Sequence, residues 1–324
     1  MKPALWLTAL SGTTACLWGL LAGAVVLCPA GDSVEAKEST PAVESSPAPV
    51  MSSTAAPPDR GLPKDGTDRA QPGQSSPGAE DLPRIIEETR AALARNPDDA
   101  DLRFRLAFAL ESHGDIDEAM KEYHTVIERA PQHVWARNNL GVLYARRGQY
   151  EEAIGKFGEA LFRDPQHQTA RLNSGLTFLK IGDPDAAVRQ FRLVLDINPR
   201  NVEAHVSLGQ TLFDQGEIEQ AIEHYREAVG INPQFGPGHR HLGKALLKKG
   251  DVAGAVAEYR LAVKLIPQDS LLRYEFAQAL EADGGRTEAI RELRRFLDLH
   301  PNRPDQQALR QGAEAKLRAL GYRP

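Results

Sequence analysis

Seven prolines, Pro97, Pro131, Pro165, Pro199, Pro233, Pro267 and Pro301, follow one another at intervals of 34 residues. Glycine recurs on the same step at Gly114, Gly148, Gly182, Gly216, Gly250 and Gly284, and alanine at Ala119, Ala153, Ala187, Ala221, Ala255 and Ala289. Three residue types sharing one period over six copies confine the chain to a repeat architecture. In such a chain each unit is one supersecondary element that buries its apolar face only by stacking on its neighbours.

One unit shows the physics. In the second copy Arg137, Leu140, Gly141 and Tyr144 fall at i, i+3, i+4 and i+7, one stripe of a helix. Gly148 ends that helix, because a helix C-terminus often needs a left-handed residue. A second helix carries Ala153, Phe157 and Ala160 on one face and stops before Pro165, which cannot continue a helix from inside. Gly141 and Ala153 are small enough for close approach of the two helices, with Phe157 and Tyr144 filling the remaining space.

This unit resembles the tetratricopeptide repeat: Leu-Gly early in helix A, a bulky residue three places on, Ala and an aromatic in helix B, and a closing Pro. Leu140-Gly141, Leu208-Gly209 and Leu242-Gly243 match directly, and Ala107, Gly175 and Ala277 keep a small residue at that place. The helix B aromatic is Tyr123, Phe157, Phe191, Tyr225 and Tyr259, then Leu293. The resemblance implies an all-α fold, a right-handed α-solenoid of six 34-residue repeats at 100–133, 134–167, 168–201, 202–235, 236–269 and 270–303. Where the family often has Trp at the start of helix A, this chain has Arg103, Arg137, Arg171, His205, His239 and Arg273. Their stems are expected to cover the helix pair while the charged heads reach water. His205 and His239 as a metal pair would lack the further ligands a site requires.

The flanks read differently. Residues 82–99 form an N-terminal capping helix, and 304–324 a C-terminal one with Leu309, Ala313, Leu317 and Leu320 toward the stack. From Ala4 to Cys28 there is no charged residue, so residues 1–30 read as a signal peptide or a retained transmembrane anchor. Residues 31–81, rich in Pro, Ser, Ala and Gly, cannot bury enough surface to offset their ordering entropy and read as a disordered linker. Both point to export, to a periplasmic or cell-envelope location, membrane-anchored or secreted. Cys16 and Cys28, the two cysteines, lie in the apolar run, which leaves the body without a disulfide framework or Cys-type zinc site.

The formal net charge of −5 argues against nucleic acid as a partner. No nucleophile–base pair, phosphate loop or metalloprotease motif stands out from the repeat, so an enzyme is not expected and no cofactor is called for. Function then falls to the surface. The resemblance implies that helix A faces line a concave groove that binds extended peptides or partner helices. Beside the core stripe stand Asn139, Val142 and Arg146, then Asn173, Leu176 and Lys180, then Ser207, Gln210 and Asp214, then His241, Lys244 and Lys248.

Asn139 and Asn173 resemble the asparagine ladder of the O-linked N-acetylglucosamine transferase superhelix, and are expected to face solvent and meet a peptide backbone. Arg146, Lys180, His241, Lys244 and Lys248 favour a partner that is acidic or has a free carboxylate, while Asp214 and Glu203 interrupt the basic run. Trp135, Leu172, Leu176, Val206, Phe213 and Leu247 on or near the groove would give apolar anchors. The leading expectation is a non-catalytic protein-interaction scaffold. Two alternatives stand beside it, an accessory subunit recruiting an enzyme of envelope glycan or polysaccharide synthesis or export, and a carbohydrate-binding module.

Overall fold

A computed structural model describes residues 81–299 and 307–322. All of them belong to the larger of two compact units, Thr54–Pro324. The export segment, the linker up to residue 80, and both cysteines lie outside the described residues, as do residues 300–306 where the last repeat passes into the final helix.

The described residues form fourteen α-helices and no strand. They are α1 (Leu82–Arg95), α2 (Ala100–His113), α3 (Ile116–Arg129), α4 (Val134–Arg146), α5 (Tyr150–Arg163), α6 (Gln168–Lys180), α7 (Pro184–Ile197), α8 (Val202–Asp214), α9 (Ile218–Ile231), α10 (Gly236–Lys249), α11 (Val252–Leu265), α12 (Ser270–Ala282), α13 (Arg286–Leu299) and α14 (Gln307–Ala319). The even-numbered helices from α2 to α12 are the A helices of six successive pairs, and the odd-numbered helices that follow them are the B helices. Each pairs with the next along the chain, so contacts are local and the product is an all-α solenoid. A helices of neighbouring repeats also touch, α4 on α6, α8 on α10 and α10 on α12, a closeness no pair of B helices matches. The array therefore curves with its A helices on the inner side.

The periodic residues account for this geometry. The glycine ending each A helix sits at positive φ, from 75° at Gly148 to 104° at Gly114, which a side chain would strain. The small residue in mid-helix A lies against the helix B ring: a Cβ at Gly175 would stand 2.5 Å from Phe191 Cε1, and at Gly141 2.7 Å from Phe157 Cε1. The rings they admit, Tyr123, Phe157, Phe191, Tyr225 and Tyr259, are buried between the helices. Five of the six A helices start at a side chain that caps them, on the same 34-residue step, and the fifth repeat has Phe235 there instead. Asp99, Asn201 and Asp269 accept a backbone N–H there, and in the second and third repeats the imidazoles of His133 and His167 do so at 3.1 Å. At the C-terminal end Ala313 and Leu317 are buried as read, but Leu309 is exposed.

The basic residues opening helix A do not send their heads to water. Arg137, His205, His239 and Arg273 are buried, and five of the six turn back to the carbonyl of the proline six residues earlier. That carbonyl follows the end of the previous B helix and has no helical N–H to accept from, so the bond ties one repeat to the next. The same head then meets a residue nineteen places on, in its own B helix. Arg103 pairs with Glu122, His239 with Glu258 and Arg273 with Glu292, each at 2.7 Å. In the fourth repeat the corresponding pair is His205 and His224, Nδ1 to Nδ1 at 3.1 Å. Arg137, whose partner place holds Lys156, lies 3.3 Å from Glu159 instead.

Candidate protein-interaction surface

The inner face is built by the A helix residues beside the core stripe. Asn139 and Asn173 are there but not in solvent: their exposures are 0% and 1%. The reading of them as solvent-facing groove residues is corrected by what they bond. Tyr123 donates to the Glu111 carboxylate at 2.9 Å, Asn139 Nδ2 donates to the Tyr123 hydroxyl at 3.0 Å, and Asn138 Nδ2 to Asn139 Oδ1 at 3.1 Å. Asn173 Nδ2 then donates to Asn138 Oδ1 at 3.0 Å. An ionised carboxylate only accepts, so Glu111 sets the direction of every bond in the chain. Asn173 with Asn138 staples α6 to α4 where the two helices touch, and Asn139 with Tyr123 ties α4 to α3.

The same spacing, one repeat plus one residue, recurs at the other end of the inner face. Arg240 forks onto Glu275 at 2.7 and 2.9 Å and reaches Asp269 at 3.1 Å, and Lys316 meets Glu281 at 2.6 Å. A guanidinium on carboxylates joins α10 to α12, and an ammonium on a carboxylate joins α12 to α14. Polar residues along the inner seams therefore hold the array together.

The basic side chains of the predicted site lie further out. Arg146, Lys180, Lys244 and Lys248 are exposed, as is Asp214. Lys244 Nζ stands 5.1 Å from the centre of the Phe213 ring, a cation–π contact across α8 and α10. His241 is half-buried, stacked on the Tyr225 ring at 5.4 Å and 16°. Tyr225 in turn donates to Gln210, which donates to Asp214. Leu176, Val206, Phe213 and Leu247 are half-buried beside the core, whereas Val142 and Leu172 are buried within it. Trp135 packs edge-on against His167 with centroids 4.5 Å apart. Among the described residues no group of three or more metal-ligating side chains converges, and no helix is long and apolar enough to cross a membrane.

Sequence reasoning missed Glu111, Asn138, His224, Glu258 and Glu292. The last three, together with Glu122, leave a signal, an ionisable residue nineteen places after the opening Arg or His in repeats one, four, five and six. Glu111 and Asn138 leave none, since each is one polar residue on a helix face whose burial only the neighbouring repeat decides.

A stack of helix pairs with a polar-rimmed inner face and side chains from successive repeats in register defines a helical repeat scaffold. The chain belongs to the tetratricopeptide repeat family: profiles of that repeat match residues 109–168 and 172–234, and also 79–137 and 212–271. Proteins of this fold serve generally as protein–protein interaction scaffolds. Among solved structures it is similar to a chain of the APC/C hetero-tetramer Cut9-Hcn1, with a TM-score of 0.57 and 17% identity over 72% of this chain. The match spans about half of that larger chain, 46%. The C-terminal part of a TPR repeat-containing protein from Cytophaga hutchinsonii gives a TM-score of 0.55 at 16% identity, covering 69% of this chain and 93% of that one. A tetratricopeptide repeat protein from Parabacteroides merdae gives 0.54 at 18%, covering 72% and 93%. Identities this low speak to fold alone. A comparison with curated protein sequences finds no match.

Proposed function

We propose that this protein is a non-catalytic scaffold that holds a peptide or protein partner along the inner face of its A helices, outside the cytoplasm. The observation that carries the reading is the set of exposed cations there, Lys180, Lys244 and Lys248 with Arg146, beside half-buried Phe213 and Leu247. Long basic side chains over apolar ground fit a partner with acidic residues or a free C-terminal carboxylate and one or two apolar anchors. His241 borders this ground through its stack on Tyr225. Asn139 and Asn173 are withdrawn from the contact set because they are buried in the seam. Export rests on the uncharged run from Ala4 to Cys28 followed by Pro- and Ser-rich sequence.

The test is selection of the full chain against a random peptide library with free and with amidated C-termini. Acidic or free-carboxylate peptides should be enriched, and binding should weaken with salt. A variant with Lys180, Lys244 and Lys248 changed to Ser should lose that binding and keep its helicity. Enrichment that survives the triple change would place the contact surface elsewhere. Location is read separately, by fusing residues 1–81 to a reporter active only outside the cytoplasm.

A further inference from the structure

In three of the six repeats an Arg or His opening helix A is held by a carboxylate nineteen places on, in helix B. The fourth repeat has a second imidazole at that place. His205 Nε2 faces the Pro199 carbonyl at 3.0 Å, an acceptor only, so Nε2 carries a proton there. In neutral His205 that leaves Nδ1 with a lone pair, and the 3.1 Å contact requires His224 Nδ1 to be the donor. The pair takes a first proton on His224 Nε2 without losing its bond. A second proton has only His205 Nδ1 to go to, and it sets two N–H groups of two cations against each other.

The surroundings oppose charging. Burial, then His205, then Arg192 of α7 hold the His224 imidazole below its ordinary value, against the weaker pull of Glu223 and Glu227 on α9 itself. On α10, which packs against both α8 and α9, Lys248 is exposed, Lys249 faces Glu219, and the other ionisable side chains are engaged elsewhere. His239 is with Glu258, Arg240 with Glu275 and Asp269, His241 against Tyr225, and Lys244 over Phe213.

We propose that the His205–His224 contact is an acid-labile latch: at neutral pH it ties α8 to α9, and at mildly acidic pH it opens and loosens the fourth repeat within the array. The next repeat has the opposite sign. His239 on Glu258 gains from protonation, so acid tightens the fifth repeat as it loosens the fourth.

Hydrogen exchange of the full chain at about pH 5 and about pH 7.5, corrected for intrinsic amide rates, tests this. Protection in peptides from 202–231 should fall by about tenfold in acid, the factor supplied by a proton taken up unequally over one pH unit. Peptides from 236–265 should not fall. His224→Glu, which installs the carboxylate of the fifth and sixth repeats, should abolish the fall in 202–231. His224→Gln, whose amide does not titrate, should do the same and serves if the Glu variant does not fold. Equal protection of 202–231 at both pH values in the parent overturns the latch, and so does an undiminished fall in the variants. The starts of α4 and α6 are outside this readout, because His133 and His167 cap them and titrate on their own account.

Discussion

At the residue scale, the inner-face asparagines show how burial changes a side chain's role. Asn139 sits where a ligand-binding amide would, yet it is one link of a chain running from Asn173 to Glu111. Changing Asn139 to Ala leaves the Asn138 amide and the Tyr123 hydroxyl each short of a partner, at a cost on the order of 1–3 kcal/mol. Urea unfolding should register that loss, while Lys244→Ala on the exposed rim should stay within about 0.5 kcal/mol of the parent. The histidine caps act at the same scale. Burial holds the His133 and His167 imidazoles below their ordinary value, and each must stay neutral to accept its backbone N–H. Their contribution is therefore complete above about pH 6.5 and drains away as pH falls below it. The double change to Asp, the residue at this place in the first and sixth repeats, should flatten the decline in melting temperature between about pH 7 and pH 5. An unchanged decline would acquit the caps.

At the scale of the helix pair, small residues have two meanings that sequence period separates only in part. Gly175 admits the Phe191 ring, and Gly158, on the outer side of α5, faces open space with nothing within 4 Å of a built Cβ. Gly175→Ala should destabilise by about 1–3 kcal/mol through overpacking. Gly158→Ala should stabilise by about 0.5–1 kcal/mol by reducing backbone freedom in the unfolded chain. Paired thermal melts give the two signs, and a shared sign would refute the packing account. The Arg273–Glu292 clip is the buried version of the same interhelical contact, with both side chains withdrawn from water. Glu292→Ala strands a buried guanidinium and should cost about 3–5 kcal/mol, far more than loss of an exposed pair such as Arg84 with Glu88.

At the scale of the whole array, contacts stay between neighbouring helices and the inner seam adds staples of one repeat plus one residue. A whole unit is then removable where no staple crosses it. Excision of residues 202–235 should leave a shorter folded array of unchanged helical content per residue, read by circular dichroism and sedimentation. Excision of 168–201 removes Asn173 and leaves Asn138 Oδ1 without its donor, so it should lower stability further. If the two deletions melt alike, the seam bonds add nothing to the stack.

Much of this protein was legible from local chemistry. A proline every 34 residues, a glycine where the A helix ends and a small residue opposite a ring are each answers to constraints inside one unit, so one copy states them and six copies repeat them. That determined the helices, their pairing and the solenoid. What lay between units was not legible. Whether Asn139 meets water or Tyr123, and whether the head of Arg273 or His205 is solvated or clipped to a proline carbonyl, depends on how closely the neighbouring repeat approaches. That distance belongs to the stack and to no single residue, and only the tertiary structure decided it.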